Sequence, residues 1–358
     1  MKYHFCTCFD NNYLIYGYTL YQSLKKHVED FTIYIVCLDE MVFQNLKQLN
    51  LPEADLIPLS DIESFDPEYA ATAATRSRVE YIFTLSPVMP LYILKHHPEI
   101  DILAYTDSDL YFFSSPARLY QELGNQSVLI FEHDFYTEES LQIEKYGRFN
   151  MAFQLYRNDS RGIACLKHWR QECLDWCFDR PENGKFADQK YLEEWPELFQ
   201  AVIASNHSGG GLAPWNCGKH QFDFSGIVPK VDNQPVIFYH YQGCKLLKYN
   251  ILLISQAPYY FYISTSVSNF FYSCYYNAMI FSRKRIEEVI SREKIQTVYL
   301  FKREKKEFIS LRKQSAFSHW ISSIRFHLPL LLCGQLAYQG RRIAPLIFAL
   351  FYYKKTHK

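Results

Sequence analysis

The stretch Asp101-Ile102-Leu103-Ala104-Tyr105-Thr106-Asp107-Ser108-Asp109 decides how this chain is read. Its first six residues have the length and the content of a buried strand, and they run straight into a polar group bearing two acids. In open α/β sheets ligands collect at the carboxyl ends of strands. Two carboxylates one residue apart at such an end can hold a hard divalent ion and leave open positions for a diphosphate. By itself Asp-x-Asp is a weak signal, since roughly one match arises by chance in a chain this long. The plainer alternative is a solvated turn.

The flanking sequence supports the strand reading. Upstream, residues 3–9 alternate as a strand, Asp10-Asn11-Asn12 breaks it, and residues 13–27 carry apolar side chains at helical spacing. Residues 31–38 predict a second strand, 41–49 a helix and 54–59 a third strand. Residues 75–96 read as one or two helices broken around Pro87 and Pro90. Downstream, strands are predicted over 128–131 and 150–156, an amphipathic helix over 162–178, a short helix over 188–195 and a closing strand over 236–240. Trp169 and Trp176, on one face of the amphipathic helix, read as core. The βαβαβ rhythm implies an α/β protein with a mixed, mostly parallel sheet flanked by helices.

Composition sets the outer bounds. The chain has 358 residues, 48% hydrophobic and 21% charged, which excludes disorder, collagen and coiled coil as its main theme. Aromatics are unusually frequent at 17%, a content that serves large cores, sugar stacking and membrane interfaces alike. The 38 basic and 38 acidic residues cancel, yet residues 283–358 hold 17 Lys and Arg against 5 acids. That asymmetry predicts an anionic partner for the C-terminal part. Residues 319–358 contain no acid, and their two apolar runs, 328–332 and 343–353, are too short to cross a bilayer. They predict a segment lying on an anionic membrane, the alternative being a helical cap on the main domain. Nucleic acid is not expected. The ten cysteines show no metal spacing and read as reduced thiols of a cytosolic protein; no signal peptide is apparent.

Six segments in order resemble the GT-A glycosyltransferases, with the layout of the family 8 enzymes and related bacterial envelope-polysaccharide glycosyltransferases. They are Thr7-Cys8-Phe9-Asp10-Asn11-Asn12-Tyr13, Arg76-Ser77-Arg78, Asp107-Ser108-Asp109, Phe149-Asn150-Met151-Ala152-Phe153, Ala187-Asp188-Gln189-Lys190-Tyr191-Leu192 and Tyr239-His240-Tyr241-Gln242-Gly243. The resemblance spans residues 1–248 and implies a GT-A (Rossmann-like) domain there, followed by an aromatic then charged extension over 249–313 and a basic, apolar tail over 314–358. It implies Mn2+ or Mg2+ on Asp107, Asp109 and His240. Donor contacts would come from Thr7, Asp10, Asn11, Tyr13, Arg78, Ser108, Asn150, Gly243 and Lys245, and reaction-centre roles from Asp188 and Gln189. Two departures stand out: Met151 replaces a small residue, and Lys245 lies one position early, so Lys248 is a second candidate for the phosphate contact.

Each role has a plainer alternative. His240 could be a core imidazole, Arg78 a surface side chain, and Asp10, Asn11 and Asp188 helix caps. Gly209-Gly210-Gly211 reads as a mobile loop leading to Trp215 and Asn216, candidates for the acceptor. The resulting expectation is a metal-dependent, hexosyltransferase-type enzyme, cytoplasmic and peripheral on the membrane. It would move a sugar from a nucleotide diphosphate donor, UDP-linked, to a glycan or lipid-linked acceptor, with retention implied by the resemblance alone. The alternatives are a glycosyltransferase that modifies protein and an inactive nucleotide-sugar-binding protein.

Overall fold

A computed structural model describes residues 2–136, 140–247, 250–254 and 263–290. Lys248 and the tail over 314–358, with its expected membrane contact, lie outside the described residues, as does all of the extension beyond Ile290. In chain order the first half holds β1 (Tyr3–Phe9), α1 (Leu14–His27), β2 (Phe31–Cys37), α2 (Glu40–Leu49), β3 (Ala54–Pro58), α3 (Leu59–Phe65), α4 (Pro67–Ala71), α5 (Arg78–His96), β4 (Ile102–Thr106) and β5 (Leu110–Phe112). Then come α6 (Ala117–Leu123), β6 (Val128–Glu132), α7 (Ser140–Tyr146), β7 (Phe149–Arg157), α8 (Ser160–Asp175), α9 (Trp195–Leu198) and β8 (Val202–Ala204). Short strands β9 (Phe222–Asp223), β10 (Lys230–Val231), β11 (Gln234–Pro235), β12 (Phe238–His240), β13 (Lys245–Leu247) and β14 (Ile251–Leu253) precede the long helix α10 (Thr265–Val289).

The central sheet has seven strands in the order β3-β2-β1-β4-β7-β6-β8. Only β7 runs antiparallel to its neighbours, so the sheet is mixed and mostly parallel, the arrangement that a GT-A (Rossmann-like) fold implies. Both faces are covered. Phe5, Ile33, Ile35, Ala104 and Leu129 point into one core layer, and Cys6, Tyr34, Val36, Leu103 and Ile130 into the other. Burial on both faces is why these strands read as continuous apolar runs.

Position in the sheet follows from register. Strand β1 pairs with β2 through Phe9↔Cys37 and with β4 through Cys6↔Tyr105. Because β1 leads to β2 on one side and has β4 on the other, the chain order switches direction between β1 and β4. At such a point the flanking loops part and leave a crevice. The loops that leave β1, β2 and β4 carry Asp10, Asp39 and Asp107 to this one edge.

Several expectations need correction. Residues 78–96 form one unbroken helix: Pro87 and Pro90 withhold two N–H groups, but Leu85, Val88, Met89, Ile93 and Leu94 are buried around them and hold the helix together. A capping box of Ser77 and Glu80 starts it. The helix expected over 188–195 is a single 3-10 turn, Lys190–Glu193, followed by α9, and Asp188 is not its cap. Helix α8 ends at Asp175, so Trp169 is fully buried while Trp176, just beyond the helix, is half-buried. The closing strand β12 leaves the central sheet and pairs with β5 instead.

Part of the extension expected over 249–313 packs into the core. Helix α10 contributes Val267, Phe271, Tyr272, Tyr275, Met279 and Ile286 to the same core as β1 and α1. Tyr275 stacks on Tyr241 with ring centroids 3.7 Å apart, Tyr241 donates to the Phe271 carbonyl at 2.8 Å, and the Thr19 and Ser282 hydroxyls bond at 2.8 Å. The aromatic richness of this segment therefore serves a core. No helix among the described residues is long and apolar enough to cross a membrane.

Candidate active site

At the end of β4, the Asp107 amide donates to the Ala152 carbonyl on β7 at 2.9 Å, so the acidic turn starts from a position tied to the sheet. Ser108 is buried, and Asp109 leads into β5. Strand β12 then delivers His240: antiparallel pairing with β5 sets His240 opposite Leu110, one residue from Asp109. The Tyr241 amide donates to the Asp109 carbonyl at 3.0 Å, and the His240 amide to the Leu212 carbonyl at 2.7 Å. Backbone bonds thus hold together side chains that are far apart in sequence.

His240 Nε2 lies 3.2 Å from Asp109 Oδ1 and 3.8 Å from Asp107 Oδ2. One ligand atom from each of Asp107, Asp109 and His240 falls within 4.8 Å of the others. Among the described residues no other trio of His, Cys, Asp or Glu converges in this way. Two carboxylate oxygens and an imidazole nitrogen suit Mn2+ or Mg2+. Desolvation raises Asp107 to about 6, with His240 opposing and Asp109 adding to the rise. Burial disfavours the imidazolium of His240, but both carboxylates outweigh it and hold its pKa above the ordinary value. Two neighbouring acids that face one histidine are an electrostatic setting that a divalent cation satisfies. The donor set therefore fits the metal.

The loop after β1 is held in place by side-chain contacts. Asp10 accepts from the Asn12 amide at 3.0 Å and caps the 3-10 turn Asn11–Tyr13, while Arg78, the first residue of α5, reaches Asp10 Oδ2 at 3.3 Å. Asp39 receives the Asn11 amide at 3.0 Å, and Asn45 donates to the Asn11 side chain at 2.8 Å. Asp39 and Asn45 were not singled out from sequence, since a cap and a polar residue on a helix carry no signal. Thr7 is fully buried, with a hydroxyl that has no partner among the described residues. Tyr13 is half exposed, its ring tilted against Tyr16 at 4.9 Å.

Asn150 accepts from the Ala152 amide at 2.9 Å and meets His133 Nε2 at 3.2 Å. Its neighbour Met151 is buried in the core layer that holds Phe149 and Tyr156, and Gln154 donates to its sulfur at 3.0 Å. Asp188 is buried too. Ser86 on α5 donates to its Oδ2 at 2.6 Å, and the Trp169 indole donates to its carbonyl at 2.8 Å. Desolvation raises its pKa to about 7, with Ser86 opposing and Asp107 adding to the rise. Gln189 spends its amide on the Tyr146 carbonyl at 2.7 Å.

Beyond the acids, Gly243 turns the chain between β12 and β13 at φ +73°, a conformation that favours glycine, and Lys245 opens β13. Trp215 stands edge-on to His240 with centroids 5.5 Å apart and also meets the rings of His133 and Phe135. The Asn216 side chain accepts from the Ala213 amide and donates to the carbonyls of His133 and Gly211, so its polar atoms serve the local backbone. The glycines before it are packed, not loose: a Cβ on Gly209 would lie 2.0 Å from the Pro235 carbonyl oxygen.

No protein-family model matches the chain. The uncharacterized protein YfnF of Bacillus subtilis (strain 168) is 30% identical over 253 residues, which is 69% of this chain and 83% of YfnF. The uncharacterized protein YfnD of the same strain is 28% identical over 247 residues, 68% of this chain and 79% of YfnD. Similar solved structures include the galactosyltransferase LgtC in complex with donor and acceptor sugar analogs (14% identity, TM-score 0.48, 82% of this chain and 98% of that one). Another is the glycosyltransferase GlyE of Streptococcus pneumoniae TIGR4 (17% identity, TM-score 0.47, 82% of this chain and 64% of that one). A third is mouse xyloside xylosyltransferase 1 (14% identity, TM-score 0.41, 67% and 97%). With identity of this level sustained over most of the relative's length, the chain belongs to the YfnF family.

Proposed function

We propose that this chain is a metal-dependent glycosyltransferase that moves a sugar from a nucleotide diphosphate donor, a UDP-sugar, to a glycan or lipid-linked acceptor. The observation that carries the reading is the convergence of Asp107, Asp109 and His240 beside the switch point of the sheet. Bound there, Mn2+ or Mg2+ would neutralise the charge that grows on a diphosphate leaving group. Asp107, Asp109 and His240 would hold the ion. Asp10, Asn11, Tyr13 and Arg78 line the adjacent loop, where the nucleotide would lie, with Arg78 supplying positive charge and Thr7, Ser108, Gly243 and Lys245 completing the donor side. Asn150 would contact the sugar, and Asp188 and Gln189 would stand at the reaction centre, the Gln189 amide being anchored on the Tyr146 carbonyl. A buried carboxylate such as Asp188 is suited to stabilising an oxocarbenium-like state when ionised or to donating a proton when neutral. Trp215 offers an aromatic wall for the acceptor. Retention of configuration and peripheral membrane contact complete the proposal; they rest on the motif resemblance and on the basic tail.

The test is UDP release from a panel of UDP-glucose, UDP-galactose, UDP-N-acetylglucosamine and UDP-xylose with Mn2+. Asp109→Ala should lower the rate at least about a thousandfold, a loss of roughly 4 kcal/mol in transition-state stabilisation. Undiminished release in excess EDTA would remove the metal from the reading, and no release from any donor by the native protein would remove the activity.

A further inference from the structure

A line of polar groups in contact joins two parts of the site that the motifs treat separately. Asp188 Oδ2 accepts from Ser86 Oγ at 2.6 Å, Ser86 Oγ lies 3.5 Å from the Tyr105 hydroxyl, and Tyr105 donates to Asp107 Oδ1 at 3.2 Å. Ser86, Tyr105 and Asp188 are all buried. The line thus runs from a metal-binding carboxylate on the β4 turn, through the last strand residue but one, across to α5 and on to a carboxylate brought in 102 positions after Ser86.

Neither intermediary has another evident purpose. A serine inside a helix ordinarily returns its hydroxyl to a carbonyl of the preceding turn, as Thr84 does with Glu80 at 2.8 Å. Ser86 points away from its own helix and gives its proton to Asp188. A tyrosine on a strand buried on both faces could be a phenylalanine at no cost in packing. Its buried hydroxyl is satisfied by Asp107, which accepts from it. The short hydrogen bond from Ser86 selects the rotamer of the buried Asp188 carboxylate, and the two hydroxyl oxygens, whose single protons go to Asp188 and Asp107, touch at 3.5 Å, so a displacement of one is felt by the other through contact.

We infer that Ser86 is a positioning residue that orients Asp188 toward the bound donor, and that Tyr105 links this orientation to metal occupancy at Asp107. The inference rests on the glycosyltransferase reading and adds to it two residues outside every recognised motif.

The experiment is a double-mutant cycle, read on the full chain with Mn2+ and whichever UDP-sugar of the panel turns over fastest. Ser86→Ala should lower kcat about tenfold to a hundredfold with donor KM within about twofold, and Ser86→Thr, which keeps the hydroxyl, should recover kcat to within about threefold. Added to Asp188→Asn, Ser86→Ala should cost almost nothing further, since its effect passes through Asp188. Tyr105→Phe should raise the Mn2+ concentration needed for half-maximal UDP binding, measured by calorimetry, severalfold. Additive losses, a loss that threonine fails to restore, or native kcat in Ser86→Ala would overturn the role of Ser86. Unchanged Mn2+ affinity in Tyr105→Phe would overturn the link. If Asp188→Asn itself kept native kcat, the placement of Asp188 in the reaction would fail, and the inference with it. If Asp188→Asn is impaired while Ser86→Ala is not, the inference alone fails.

Discussion

Asp188 shows how much burial does to one side chain. Its folded pKa of about 7 stands well above the ordinary 3.8, so between these values the folded protein keeps a proton that the unfolded chain has released. The sign follows: this group's contribution to stability is complete below about pH 4 and is lost as pH rises through about 7. Asp188→Asn removes the titration without changing the shape. Its stability relative to the native protein should therefore improve between about pH 5 and pH 8, by on the order of 2 kcal/mol, as followed by denaturant midpoints in metal-free buffer. A constant difference across that range would mean that Asp188 is ionised throughout. His133 has the opposite slope. Burial lowers its pKa to about 4, so acid conditions charge it in the unfolded chain first and weaken the fold beside Asn150.

Among the elements, α10 is the one whose importance the sequence conceals. Its residues lack the clean amphipathic stripe of a surface helix, because tyrosine and serine fill positions that leucine and alanine would make obvious. In the structure those tyrosines form a stack behind the candidate metal site: Tyr275 lies on Tyr241, next to His240 in sequence. Tyr275→Ala should cost about 3 kcal/mol, in line with other large-to-small changes in cores. The check is the denaturant midpoint together with Mn2+ affinity, and both should fall. A chain ended at residue 248 should not fold, whereas one ended after Lys313 should, as judged by circular dichroism and a cooperative thermal transition. The pairing of β5 with β12 works at the same scale. Each is three residues long and has little pattern of its own, yet their register alone decides that His240 meets Asp109.

For the whole molecule the outstanding feature is charge, with an excess of bases confined to residues 283–358. The six Lys and Arg over 319–358, with no acid among them, offer about 1 kcal/mol each close to an anionic leaflet. Truncation after Lys313 should release the protein from anionic vesicles in a sedimentation assay while UDP release continues. Continued sedimentation would assign the attraction to another surface. What the sequence determined by itself was the α/β class and the strand ends that carry the candidate site, with the acids of Asp107-Ser108-Asp109 among them. Those features are local, because apolar runs, breaking residues and adjacent acids are written in consecutive letters. What only the tertiary structure decided was the partner of every long-range contact. Helix α5 runs unbroken through two prolines because burial outweighs the lost hydrogen bonds, α10 joins the core, and Asp188 is a buried carboxylate rather than a cap. Ser86, Tyr105, Asp39 and Asn45 left no trace in the sequence, for their significance lies in what folds against them, and pairing across tens to hundreds of residues is set by packing and register rather than by any residue's own preference.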